Sequence, residues 1–401
     1  METKPQRVDG PIGPDALLKL IRADDGATRA DLARRTGLAR STITQRIEQL
    51  QSLGLLKEMG GRPSTGGRPP MKLAFNEDAA LVLAADLGAT HSRLAVTNLG
   101  GRVLAEDRGD IEIAAGPETV LHWVEQRFAG LLAEAGAGQG PVAGIGIGVP
   151  GPVEHLTGMA RNPPIMPGWD GFPIPERLSS SFGVPVLVDN DVNIMALGEH
   201  WANWRQVEHL MFVKVGTGIG CGIIVGGQVH RGADGAAGDL GHVRIPVDDE
   251  DEDVICSCGN VNCLEALAGG GAMARRLGAE GIEVPDSRAL VELARGGLPA
   301  AVQLIRHSGR LIGEVLAAAV NFYNPSVIVI GGDVAGAQEQ LLASVREVVY
   351  QRSLPLATRH LRILRSPLGD RAGVVGAAAM VTERVLALDP EFARPPGRAA
   401  V

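Results

Sequence analysis

Leu81-Val82-Leu83-Ala84-Ala85-Asp86-Leu87-Gly88-Ala89-Thr90 is a short apolar run closed by an acid, a glycine turn and a hydroxyl. Such a run reads as a buried strand. A tight turn after a strand turns backbone N–H groups toward a phosphate, and a carboxylate there can hold Mg²⁺ through water. The device recurs twice. Leu210–Val215 leads into Gly216-Thr217-Gly218-Ile219-Gly220, and Val327–Ile330 leads into Gly331-Gly332-Asp333. Any one of them could be an ordinary β-turn. Three, each after a strand, point to nucleotide or phosphate contact.

Further strand-like runs surround these three at Leu94–Asn98, Val142–Val149, Val184–Val188 and Gly222–Val225. Helical stretches alternate with them at Glu118–Ala135, Val192–Trp201, Cys263–Leu277, Ala300–Tyr323, Gln338–Gln351 and Gly373–Leu388. Alternation of this kind predicts α/β layers, and roughly 310 residues suffice for two lobes with a cleft.

The whole chain has 401 residues, 45% apolar and 21% charged, a globular composition. No apolar run approaches the roughly 18 residues that span a bilayer, and the N-terminus lacks a signal-like apolar segment. Both points argue against membrane and secreted classes, and a cytoplasmic location is expected. The net charge of −8 is unevenly spread. Residues 1–75 hold 13 Lys/Arg against 8 Asp/Glu, whereas the rest hold 25 against 38. A basic head on an acidic body predicts that the head meets a polyanion.

Three of the four cysteines fall within eight positions, in His242-x13-Cys256-Ser257-Cys258-x4-Cys263. Three thiolates and an imidazole make a closed set for structural Zn²⁺, with no coordination position left for water. The acidic run at 248–253 inside that loop reads as a solvated surface segment. Asp189-Asn190-Asp191 follows the strand at Val184–Val188 and opens a helix. A carboxylate at the carboxyl end of a strand is where α/β sheets bind ligands, and in a kinase it would take a sugar hydroxyl proton. Asp and Asn are also ordinary helix N-caps, so one of the two can cap while the other faces the cleft.

The head reads as three helices and a hairpin. Leu17, Leu18, Leu20 and Ile21 mark the first, and Thr28 with Asp31 caps the second, which ends at Gly37. Ile43, Ile47, Leu50 and Leu53 form one stripe of the third, opposite Arg40, Ser41, Thr42, Thr44, Gln45 and Arg46. Helix, glycine turn, helix is the geometry that puts a second helix in the major groove. Leu55–Glu58 and Met71–Phe75 read as two wing strands around Gly61–Pro70, which carries two Gly-Arg-Pro steps with Arg62 and Arg68. Arginines in a narrow Gly/Pro segment suit a minor groove. A small helical interaction module is the blander reading of the same helices.

Together these features resemble the ROK family of repressors and sugar kinases, in its winged-helix regulator branch, from about Pro14 to Leu388. The resemblance implies an α/β, actin/hexokinase-like pair of lobes behind a winged helix-turn-helix head. On that frame the head takes residues 1–76, the first lobe 77–191 completed by 370–388, the second 192–369 with the zinc loop, and a disordered tail 389–401. It implies that Asp86, Gly88, Thr90, Gly216, Thr217, Gly218 and Gly220, with Gly331 and Gly332, meet ATP and Mg²⁺. It implies that Asn190, Asp191, Asp239, His242 and Glu265 meet a sugar, with Asp191 as base in a kinase. Two residues depart from the family pattern. Asp239 stands for Glu, a reach shorter by about 1.5 Å, and Asn262 stands for Gly, a change expected to be silent.

The reading that follows is a sugar-responsive regulator of carbohydrate genes, a repressor, bound to an inverted-repeat DNA operator as a homodimer or homotetramer. A sugar or sugar phosphate is its effector. The alternative is an ATP-dependent sugar kinase, or a protein that does both. A zinc-stabilised scaffold for a protein partner is the third.

Overall fold

The computed structural model describes residues 12–24, 26–59, 71–136, 140–246, 253–337 and 339–393. The head contains α1 (Pro14–Ala23), α2 (Arg29–Thr36) and α3 (Arg40–Ser52), followed by the antiparallel strands β1 (Leu56–Met59) and β2 (Lys72–Phe75). Thr28 and Asp31 close a reciprocal capping box on α2, and Gly37 ends it in the left-handed conformation. Leu17, Leu18, Ile21, Leu32, Ile43, Ile47 and Leu50 are fully buried. Each such burial is worth about 1.5–3 kcal/mol.

The first lobe is built on β3 (Leu81–Leu87), β4 (Ser92–Asn98), β5 (Val103–Gly109) and β6 (Val142–Val149), with α4 (Pro117–Ala135) between the last two. A small ribbon of β7 (Val153–Glu154) and β8 (Met159–Ala160) follows, then α5 (Ile174–Phe182) and β9 (Val186–Asn190). The sheet runs β5-β4-β3-β6-β9, with antiparallel pairing up to β3 and parallel pairing beyond it. After α6 (Asp191–Asn203), the second lobe opens with β10 (His209–Val215), β11 (Ile219–Val225) and β12 (Gln228–Val229). The helices α7 (Leu264–Ala268), α8 (Gly270–Ala279), α9 (Ser287–Arg295) and α10 (Pro299–Tyr323) precede β13 (Val327–Gly331). Then come α11 (Glu339–Arg352), α12 (Pro355–Thr358), β14 (Arg362–Arg365) and α13 (Ala372–Leu386). This sheet runs β12-β11-β10-β13-β14. Numbered from its own first strand, each sheet has the order 3-2-1-4-5, so one topology occurs twice.

α13 lies on β3 and β6, α6 lies on β10 and β11, and the two helices pack along each other. They approach so closely that a Cβ on Gly376 would fall 1.7 Å from the Ile194 carbonyl oxygen, and one on Gly198 2.1 Å from that of Ala372. Only glycine permits that spacing. The head shares one apolar cluster with this layer, in which Leu17, Ile21 and Phe75 join Trp201, Met380 and Phe392.

The α/β two-lobed body with its winged helix-turn-helix head agrees with the sequence reading. Four local expectations change. The stretch from Cys263 to Leu277 is two helices, because Gly269 takes an extended conformation between them. The second glycine turn is the bend of an antiparallel hairpin, since β11 starts at Ile219 and not Gly222. The strand read as Val184–Val188 runs two residues later and ends on Asn190. The tail was expected to be disordered from Asp389, yet Phe392 is buried against Gly144. Among the described residues no helix is long and apolar enough to cross a membrane.

Candidate functional site

A cavity of about 760 Å³ opens between the lobes. The ends of β9 and β10, the β10–β11 turn and the loop leading to α7 form its walls. Of the residues expected to meet sugar, Asn190, Asp191, Asp239, His242 and Glu265 all line it. Of those expected to meet nucleotide, Gly88, Thr90, Gly216, Thr217, Gly218 and Gly220 line it too.

Asn190 both caps a helix and faces the cavity. Its Oδ1 accepts from the Val192 and Asn193 amides at 3.0 and 3.3 Å, and its Nδ2 donates to the Gly151 carbonyl at 3.1 Å. Asp191 is the first residue of α6, almost fully buried, and it accepts from Lys214 Nζ at 2.5 Å. Just before them lies Asp189, 2% exposed. Its carboxylate takes two bonds from Arg231, at 2.8 and 2.6 Å, and one from Asn193 at 2.9 Å. This pair anchors the end of β9 beneath the cavity.

The glycine turn is fixed from behind. The Gly270 and Gly271 amides donate to the Gly216 and Thr217 carbonyls at 2.8 and 3.0 Å. Glu265 accepts from the Ile219 amide at 3.0 Å, and a Cβ on Gly218 would fall 2.1 Å from that carboxylate oxygen. A side chain at 218 would displace the Glu265 carboxylate, which joins the turn to the cysteine loop.

Asp86, Gly331 and Gly332 are not on the main cavity. Gly331 ends β13 against the Phe212 ring, 2.3 Å from where its Cβ would be, so a side chain there would meet the ring. Asp86 and Gly332 line a second cavity of about 90 Å³, which shares Gly88, His91, Lys214 and Asp333 with the first. Burial pushes the Asp86 carboxyl up to about 7 against the pull of Lys214. Burial acts to lower the Lys214 amine, but Asp191 and Asp86 outweigh it and raise it to about 12.

The ligand atoms of His242, Cys256, Cys258 and Cys263 all lie within 4.8 Å of one another. Two of the separations, Cys256 Sγ to His242 Nδ1 and Cys258 Sγ to Cys263 Sγ, are 3.7 Å. A tetrahedron with metal–sulfur bonds of about 2.3 Å has edges of about 3.8 Å, so the set fits a four-coordinate ion. Asn262 is more than a silent replacement. It is fully buried with φ +56°, accepts from the Val254 amide at 2.8 Å and donates to Asp253 at 2.6 Å, which pins the loop.

In the head, α3 turns Arg40, Ser41 and Gln45 outward, with Thr42 and Thr44 partly exposed. Arg46 is half-buried, one guanidinium nitrogen facing inward without a hydrogen-bond partner among the described residues. Arg62 and Arg68 lie outside the described residues.

Sequence reasoning missed Lys214 and Arg231, and it named Asp189 only within the Asp189-Asn190-Asp191 run, with no role of its own. A signal for the first was present, since Lys214 is the lone charge in the run Leu210–Val215. The Asp189–Arg231 pair spans 42 positions and leaves no local pattern.

Residues 82–384 match the ROK family, and residues 16–57 match a winged helix-turn-helix DNA-binding domain. The xylose repressor of Caldicellulosiruptor bescii is 32% identical over 339 residues, 81% of this chain and 83% of the repressor. The crystal structure of a ROK family transcriptional regulator, a homologue of the E. coli MLC protein, superposes with a TM-score of 0.78. It has 27% identity and covers 93% of this chain and 95% of its own. A ROK family glucokinase from Streptomyces griseus, in complex with glucose and AMPPNP, has a TM-score of 0.63 and 29% identity. It covers 75% of this chain and 99% of its own.

Proposed function

The chain belongs to the ROK family, and from that premise we propose that it is a sugar-responsive, DNA-binding transcriptional regulator, a repressor of genes for carbohydrate uptake or metabolism. One observation carries this reading. A winged helix-turn-helix shares its apolar core with the helix layer whose N-terminal end, Asn190 and Asp191, lines the interlobe cavity. Likeness to a xylose repressor supports it, as does likeness to a ROK regulator whose structure covers 93% of this chain, head as well as body.

In this reading Arg40, Ser41, Thr42, Thr44, Gln45 and Arg46 meet the major groove, with Arg62 and Arg68 in the minor groove. A homodimer or homotetramer sets two heads on an inverted repeat, and the protein acts in the cytoplasm. A sugar or sugar phosphate sits between the lobes on Asn190, Asp191, Asp239, His242 and Glu265. His242, Cys256, Cys258 and Cys263 hold Zn²⁺, which braces the loop carrying Glu265 and supplies no open coordination position. To switch the protein, the sugar must bind one conformation better than the other by about 1–3 kcal/mol.

The second reading, an ATP-dependent sugar kinase with Asp191 as base, is supported by Gly88, Thr90 and the Gly216–Gly220 turn on the cavity and by likeness to the glucokinase. Selection of genomic DNA fragments by the full chain, with and without a sugar panel at fixed salt, separates the two. Fragments sharing an inverted repeat, released or retained by one sugar, are expected. No enrichment by folded, zinc-loaded protein would overturn the regulator reading.

A further inference from the structure

Two of the carboxylates that a magnesium-nucleotide reaction would use, Asp191 and Asp333, are already engaged by cationic side chains. A general base acts through a lone pair aimed at the substrate hydroxyl, and the metal that accompanies a nucleotide needs anionic oxygens free to face it. Here Lys214 Nζ lies 2.5 Å from Asp191 Oδ2, and only 5% of the Asp191 side chain is exposed. The same ammonium feels the buried Asp86 carboxyl as its next strongest anionic neighbour, and Asp333 after it. Asp333 is itself held by Arg288 at 3.0 Å, with His91 of the opposite lobe 3.8 Å away. The space beside Asp86 measures about 90 Å³, room for a few waters. A glycine-turn pocket with these acids left free would fit Mg²⁺-ATP. With Lys214 among them it does not.

We propose that Lys214, paired with Asp191 and lining the same small cavity as Asp86, is a resident cation in place of a nucleotide-borne divalent metal, so that the pocket binds its sugar without phosphorylating it. The inference rests on the reading of the body as a sugar-binding one, and it names the residue that separates binding from turnover. The ammonium takes one of the two carboxylate oxygens of Asp191 and holds it in an ion pair. A general base contributes typically 10²–10⁴-fold in rate, so its neutralisation alone leaves phosphoryl transfer slow. The pair is also useful to a sensor. It gives a sugar hydroxyl a charged donor and a charged acceptor side by side, with no co-substrate needed to complete the site.

The test uses the full, zinc-loaded chain with Mn²⁺ as the probe, followed by electron paramagnetic resonance and thermal melting. Wild type should bind no Mn²⁺ at this position, and its melting temperature should not respond to the ion. Lys214→Met leaves the two acids facing each other without a counterion. It should melt lower without metal, regain stability with Mn²⁺ and bind the ion at least tenfold more tightly than wild type. The double variant Asp86→Asn/Lys214→Met should lose that gain. If Lys214→Met does not fold, Lys214→Gln, which keeps a donor without the charge, carries the same comparison. Mn²⁺ binding by wild type equal to the variant's would overturn the proposal, as would a folded variant that gains nothing. So would ADP release by wild type with any hexose or pentose. A DNA complex indifferent to every sugar would sink the regulator reading while leaving the Mn²⁺ comparison intact, so the two fail separately.

Discussion

Asp86 sits in surroundings that oppose its charge. It is 8% exposed at the end of β3, one carboxylate oxygen lacks a hydrogen-bond partner, and Asp191 and Asp370 add like charge while Lys214 pulls the other way. Its carboxyl titrates near 7 in the folded chain against 3.8 for an ordinary one, so the folded state binds this proton more tightly. The neutral form's contribution to stability is therefore complete below about pH 4 and is lost as pH rises toward 7. Asp86→Asn removes that penalty. Its melting temperature relative to wild type should rise by a few degrees between pH 5 and pH 8, on the order of 2 kcal/mol. A difference that stays constant with pH in parallel melts would show that Asp86 is ionised throughout.

The loop from Asp239 to Glu265 is the element that builds one wall of the cavity. Its described residues contain little regular structure, and their conformation rests on the clustered His242, Cys256, Cys258 and Cys263 side chains, the Asn262 amide and the Glu265 bond to the glycine turn. Ion binding at such a site is partly folding free energy for the segment that carries it. Cys258→Ser should strip the ion, lower the melting temperature and weaken sugar binding, because Glu265 loses its support. Elemental analysis checks the first point, and a full zinc equivalent in the variant would show that the ligand set is wrong. The head's α2 is an opposite case, an element specified by its own residues. Its capping box and its terminal Gly37 are both local, and both were legible in Thr28-x-x-Asp31 and in the glycine that follows Thr36.

At the scale of the molecule, α6 runs from the cavity to the head. Its N-terminus carries Asn190 and Asp191, and 13 residues later, about 20 Å along a stiff helix, it ends beside the head. There the guanidinium of Arg22, on α1, stacks 3.9 Å from the centre of the Trp201 ring. A shift of α6 on sugar binding would reach this stack directly, and residues along such a connection typically change coupling by about 0.5–2 kcal/mol. Arg22→Gln should leave sugar affinity within about twofold and reduce the sugar-induced change in DNA affinity about 2- to 30-fold. Fluorescence anisotropy on the selected operator, with and without the sugar, measures it. An undiminished response would place the coupling elsewhere.

Much of this protein was written locally. Apolar runs closed by glycine predict both sheets, because a buried strand needs apolar side chains on both faces and a tight turn needs a residue without a Cβ. The cysteine spacing and the head's helices are equally local, and the residues expected to meet sugar, all of which line the cavity, came with the family resemblance those motifs carry. What the sequence could not decide is which charges meet. Lys214 and Asp191 are 23 positions apart, and Asp189 and Arg231 are 42 apart. Nothing in either neighbourhood specifies the partner. Their pairing follows from two sheets of one topology closing around α6 and α13, and in that low-dielectric space an acid must find a cation or give up its charge. The tertiary structure alone turned Asp191 from a free base into half of an ion pair, set Gly331 against the Phe212 ring, and put Asp86 on a small cavity that adjoins the main one.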